Sequence, residues 1–224
     1  VEVALKASMF RTGHRQFAAF WGAYHGRTSG ALAVSTSRGA NRLNGPYLPA
    51  TQFLPFPDCR ACDRGNVETC CGKYEEVVHE TIMRGWAGAG PLAGVIVEPI
   101  QGTAGIMIPP KRFLTTVADA ARAANVPLIF DEIFTGFGRT GRMFAFEHYG
   151  IVPDVLVLAK AIGGGIPAGL VAAREDFLDR WAAGTQSSTF QFHPMAAAAG
   201  EALIDAIEED DLFARSEEHT SELQ

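Results

Sequence analysis

Basic charge is in short supply. Nineteen lysines and arginines face 25 aspartates and glutamates, for a net charge of −6. No basic footprint points to nucleic acid. Long apolar runs are missing too: none approaches the roughly 20 residues that a bilayer-spanning helix needs, and no signal peptide is visible. The chain has four cysteines, and Cys59, Cys62, Cys70 and Cys71 crowd one stretch. A Cys-x-x-Cys followed by more thiols can hold zinc or an iron–sulfur cluster. Here the adjacent pair is awkward for tetrahedral binding and no nearby histidine completes a familiar pattern, so reduced thiols are expected and no metal site is assigned. There is no internal repeat and no clear linker. What remains is an ordinary globular composition, 47% hydrophobic and 20% charged, long enough for one sizeable core or a large piece of a bigger protein.

Apolar runs alternate with amphipathic stretches, which predicts α/β architecture. Strands are expected at Gln16–Phe20, Leu92–Val97, Pro127–Phe130, Val155–Ala159 and Ala168–Ala172. Helices are expected at Thr28–Ser35, Tyr74–Arg84, Lys111–Ala124 (introduced by two prolines, which suit a first turn), Glu175–Trp181 and the alanine-rich Pro194–Ile207, with Phe144–Tyr149 a short helical or looped excursion. Gly39–Pro57 is rich in Gly, Pro and Asn and reads as an irregular connection. The opening Val1-Glu2-Val3-Ala4-Leu5-Lys6 reads as the inside of a helix, so the chain is expected to be an internal fragment, truncated at both ends. Arg215–Gln224 resembles the translation of a sequencing adapter and is expected to be non-structural.

Two strand ends carry the chemistry. The run Pro127–Phe130 leads into Asp131-Glu132, and Val155–Ala159 leads into Lys160, followed by Gly163-Gly164-Gly165. Both runs read as buried strands of a parallel sheet, and in open α/β sheets the ligand crevice lies beyond the carboxyl ends of the strands. A lysine and a carboxylate on one rim suit a Schiff-base cofactor and its charge partner. Taken alone, Lys160 reads as a surface lysine at a strand end, and Asp131 can serve as a capping or strand-end acid.

In order and spacing, Leu128-Ile129-Phe130-Asp131-Glu132-Ile133, then Thr135-Gly136-Phe137-Gly138-Arg139-Thr140-Gly141, then Asp154 and Lys160 with its glycines resemble the signature of the class III aminotransferases, pyridoxal-phosphate enzymes of fold type I. Tyr24-His25-Gly26-Arg27-Thr28 and Ser188-Thr189-Phe190 extend the likeness over nearly all of Val1–Ala214. The resemblance implies a mostly parallel, seven-stranded-type sheet flanked by helices, with residues 1–214 forming an incomplete cofactor-binding large domain. It implies pyridoxal 5'-phosphate as cofactor, with Lys160 forming an imine to its aldehyde and later carrying a proton as base and acid. Asp131 would pair with the pyridine nitrogen, and Tyr24 would stack on the ring unless it is ordinary core. His25 would bond a site group or serve structurally. Glu98 would organise the site, and Glu132 would support it through local hydrogen bonds. Arg27 would grip a substrate carboxylate or pair within its loop. Thr189 would reach the cofactor phosphate across a homodimer with a shared active site. The implied enzyme is cytoplasmic, with no nucleic-acid or membrane partner, and moves an amino group from an ω-amino acid or amine to a 2-oxo acid.

Departures from the family pattern leave the substrate open. Phe134 stands where many members carry a glutamine beside the cofactor, and Thr103 stands where ornithine- and γ-aminobutyrate-type members carry a second glutamate. Gln191-Phe192-His193 replaces a glycine-rich stretch. An aminomutase, a racemase or a decarboxylating transaminase would use the same lysine and aspartate. From other classes, a cofactor-free Schiff-base aldolase explains Lys160 alone, and a non-catalytic pyridoxal-phosphate-binding module remains open. A nucleotide-binding reading of the glycines fails on spacing.

Overall fold

The computed structural model describes residues 1–37, 47–58, 67–85, 90–178, 181–209 and 212–213, with 67–71 and 73 by backbone alone. In chain order its elements are α1 (Glu2–Thr12), β1 (Gln16–Phe20), α2 (Ser29–Ala33), β2 (Thr51–Leu54), α3 (Val67–Arg84), β3 (Leu92–Val97), α4 (Lys111–Ala123), β4 (Leu128–Asp131), α5 (Phe146–Tyr149), β5 (Val155–Ala159), β6 (Gly169–Ala173) and α6 (Pro194–Glu209), with short 3-10 turns at Lys160–Gly163 and Glu175–Phe177. The strands form one sheet in the order β2-β1-β3-β4-β5-β6. Every neighbouring pair is parallel except β5 with β6. The expected mostly parallel sheet with flanking helices is present; six strands pair among the described residues.

The strand sequences explain the layering. All six residues of β3 are buried, the signature of a strand covered on both faces. Phe17, Ala19, Ile96, Ile129, Val155 and Val157 pack with α1 on one face. Ala18, Phe20, Val95, Val97, Phe130 and Leu156 pack with α3 and α4 on the other. Side-chain alternation along each strand does the sorting. On the α3/α4 side, the Phe113 ring sits 5.7 Å from Phe20 and 5.4 Å from Phe56, both edge-on. Helix α1 ends at Gly13, whose φ of +76° and N–H bond to the Met9 carbonyl form a left-handed cap that favours glycine.

Some expected boundaries move. Strand β2 lies inside the stretch expected to be irregular, pairing with β1 from Thr51 to Leu54. Helix α3 begins at Val67, seven residues before the expected start at Tyr74. Among the described residues of the expected helix Glu175–Trp181, only Glu175–Phe177 turns helically. The cysteine reading falls outside the description: Cys59 and Cys62 are not described, and Cys70 and Cys71 are seen only as backbone in α3. Residues 215–224 also lie outside it. No described helix is long and apolar enough to cross a membrane.

Candidate active site

Strand β1 pairs with β2 on one side and β3 on the other, so the chain reverses its direction of travel across the sheet between β1 and β3. Such a switch point opens a crevice beyond the carboxyl ends of the strands. A cavity of about 380 Å³ lies there. Its walls come from the loop after β1 (Tyr24, His25), the turn after β3 (Glu98, Thr103), the end of β4 (Asp131) and the residue after β5 (Lys160). Gly26, Gly102, Ile133 and Phe134 complete them. Four strands therefore deliver the residues that the sequence spread over some 140 positions.

Strand parity aims the acids. Ile129 faces α1, so Asp131, two residues on, faces the same way; Ile96 and Glu98 repeat the pattern on β3. Asp131 is buried, and its Oδ2 lies 2.7 Å from His25 Nδ1. Its other oxygen accepts the Ile133 N–H at 3.1 Å. The His25 ring is fully buried, and its Nε2 has no partner among the described residues. Glu98 brackets two walls of the cavity: one carboxylate oxygen accepts the Tyr24 N–H at 2.8 Å, the other the Gly102 N–H at 3.1 Å. Burial pushes the Glu98 carboxyl up from the ordinary carboxylate range, while His25 and the two N–H donors oppose the rise.

Lys160 lies at the open side of the cavity and is exposed. Its ammonium stands 5.1 Å from the centre of the Phe134 ring, within range of a cation–π contact. Its φ of +53° is left-handed, a strained conformation for a residue with a side chain. The glycines after it do not open onto the cavity. Instead, a side chain at Gly164 would meet the Ala199 carbonyl of α6 at 3.0 Å, so glycine there lets α6 approach.

Other expected residues sit elsewhere. Arg27 is exposed and does not line the cavity, and neither does Thr189, which is exposed in the turn before α6. Asp154 lies at the opposite end of the sheet, accepting the Leu128 N–H at 2.9 Å and pairing with Arg174 at 3.1 Å. It borders a second hollow of about 370 Å³ that also contains Arg11 and Arg122 but no lysine–carboxylate pair. Glu132 accepts from Thr135 Oγ1, Ala145 N and Phe146 N at 3.0, 2.6 and 2.8 Å, tying the Gly-rich turn to α5. Burial raises its carboxyl as well. Ser35, whose Oγ accepts the His25 N–H at 2.9 Å, was not legible in advance. A lone serine after a short helix carries no signal.

The cavity fits a flat, partly charged ring. It combines an anionic oxygen backed by a histidine, an aromatic flank and a primary amine, and the amine meets an aromatic face instead of a carboxylate. Comparison with known proteins bears on the same point. The family model for class III aminotransferases matches residues 1–224. The chain belongs to the class III aminotransferase family. Among relatives of this aminotransferase chain, a diaminobutyrate–2-oxoglutarate aminotransferase of Rhizobium meliloti (strain 1021) is 38% identical over 218 residues, covering 96% of this chain and 46% of the relative. An acetylornithine aminotransferase of Methanopyrus kandleri is 36% identical over 212 residues, covering 95% and 49%. The taurine:2-oxoglutarate aminotransferase of Bifidobacterium kashiwanohense, solved in complex with PLP and glutamate, superposes with a TM-score of 0.89 at 28% identity, covering 99% of this chain and 51% of that one. The chain spans about half the length of the curated relatives it matches.

Proposed function

We propose that this chain contributes the cofactor-binding half of a cytoplasmic, pyridoxal-phosphate-dependent aminotransferase that moves an amino group from an ω-amino acid or amine to a 2-oxo acid. One observation carries the reading: Lys160 and Asp131, from adjacent parallel strands, line one cavity. Bound pyridoxal phosphate supplies an aldehyde and an electron-withdrawing ring. The chain's own groups divide the remaining work. Asp131, anchored by His25, holds a proton on the ring nitrogen and keeps the ring cationic. Tyr24 flanks the ring and excludes water. Lys160 Nζ takes up and returns the proton at the reacting carbon. Glu98 ties the Tyr24 loop to the Gly102 turn, and Phe134 offers an apolar edge where a hydrogen-bond donor is absent. Arg27 meets a substrate carboxylate. Thr189, exposed and outside its own cavity, serves the cofactor phosphate of a second copy, which makes the working unit a homodimer with a shared site. Residues 1–214 belong to the large domain.

Relatives named as diaminobutyrate, acetylornithine and ornithine aminotransferases support a donor with an amine remote from its carboxylate. Thr103 in the cavity wall argues against a glutamate-operated switch between two substrate carboxylates. The test is direct. The protein incubated with pyridoxal phosphate should develop a visible absorbance band that Lys160→Ala abolishes. Amino donors, among them γ-aminobutyrate, β-alanine and N-acetylornithine, are then screened with pyruvate and 2-oxoglutarate. A colourless protein overturns the proposal. A coloured protein without amino transfer points to the aminomutase, racemase or decarboxylating chemistry of the same family.

A further inference from the structure

Glu2 stands in the first turn of α1, outside the cavity, yet its carboxylate reaches the loop that forms one cavity wall. Its Oε1 accepts from the Thr28 hydroxyl, from the Gly30 N–H at 2.8 Å and from the Ala31 N–H at 3.1 Å. Helix α2 has five residues, and Thr28, at its own N-cap position, makes no capping bond. A helix that short does not hold itself together, and its first amides have no partners within it. Glu2 supplies those partners from another helix. Its negative charge also suits a helix start. Gly30 completes the fit: a Cβ there would collide with Glu2 Oε2, so a side chain would displace the carboxylate.

The constraint passes on to the site. The Ser35 hydroxyl, just beyond α2, donates to the Ala31 carbonyl at 2.6 Å and accepts the His25 N–H at 2.9 Å. His25 in turn holds Asp131. At the other end of the loop, Glu98 holds the Tyr24 N–H. Residues 24–28 are thus pinned by buried groups at one end and by Glu2 at the other. We infer that Glu2 is a positioning residue: by capping α2 from α1 it fixes the loop that carries Tyr24 and His25, and so pre-shapes the cofactor cavity. Its consequence for the cofactor rests on the pyridoxal-phosphate reading above; its consequence for the loop does not.

The test uses the full chain carrying Glu2→Ala or Glu2→Gln, with Val117→Ala in the distant α4 core as a control for general destabilisation. Hydrogen exchange at Gly30 and Ala31 should quicken by about tenfold in Glu2→Ala, the scale of a lost helix cap. Affinity for pyridoxal phosphate, read from the visible band and its circular dichroism, should fall about fivefold on the same scale. Glu2→Gln keeps an oxygen acceptor and should recover most of both. Val117→Ala should lower the melting temperature without changing either readout. If Glu2→Ala does not fold, Thr28→Val, which removes one of the three donors, should move both readouts the same way by less. Unchanged exchange at Gly30 and Ala31 overturns the inference, as does a loss of affinity no greater than in Val117→Ala. A wild-type protein that ignores pyridoxal phosphate instead defeats the cofactor reading, and the exchange measurement still decides whether Glu2 fixes the loop.

Discussion

Helix α4 buries Phe113, Leu114, Val117, Ala118, Ala120 and Ala121, whereas the longer α6, richer in alanine, buries only Gly200 and Ile207. In α4 the apolar residues recur at helical spacing and meet the sheet and α3. In α6 they run continuously through Ala196–Ala199, with Ala197 and Ala198 exposed and Ala196 and Ala199 only half-buried. The sheet divides the same way: β3 is buried throughout, while Gly169, Leu170 and Ala172 of β6 are exposed. Phe190, Phe192 and Met195 stand out beside α6, with Phe192 91% exposed. Apolar content therefore does not decide burial; a facing partner does. The site straddles the division. Asp131, His25 and Glu98 are set by the packed half, whereas Lys160 stands exposed in the open half.

The largest expected effect comes from the packed half. Phe113→Ala removes a fully buried ring from a three-ring cluster and should cost about 3–5 kcal/mol in urea denaturation. A loss under about 1 kcal/mol would mean that this half is no better packed than the other.

A smaller effect concerns pH. The folded-state pKa of Glu98 lies above its unfolded value because burial disfavours its charge. Between the two values the folded protein holds the extra proton, so stability falls as pH rises through that window. Above the window the buried charge is a standing cost. Glu98→Gln should therefore flatten the stability profile above the ordinary carboxylate range, measured by urea denaturation at several pH values. Parallel profiles for the two proteins would remove Glu98 from the account. Glu132 is raised for the same reason and should contribute with the same sign.

The smallest effect on folding should come from Phe192→Ala, within about 0.5 kcal/mol, as for an exposed position. The same change should weaken self-association about tenfold by analytical ultracentrifugation, the scale of an interface anchor. A large loss of stability with unchanged association would reverse the contrast between the two halves.

Much of this was legible beforehand because it depends on local pattern. The strands before Asp131 and Lys160 are short apolar runs bounded by turn residues, and they fold as read. Strand β2 was hidden because its four residues lie at the sheet edge in a stretch rich in proline and glycine, where pairing with β1 outweighs local preference. The early start of α3 was hidden because Val67-Glu68-Thr69-Cys70-Cys71-Gly72 has no apolar period. Glu2 and Ser35 gave no signal, since each acts on a partner that is distant in sequence or generic in type.

The order of apolar runs, the turn residues that end them and the spacing of Asp131 and Lys160 were determined by sequence alone, because hydrophobic period and strand parity are local properties of the chain. The tertiary structure decided which loops share a cavity, that His25 braces Asp131, that Glu2 caps a helix it does not belong to, and that α6 is left open. Those outcomes depend on which strands become neighbours, and neighbours 26 to 106 positions apart in the chain are chosen only when the sheet assembles.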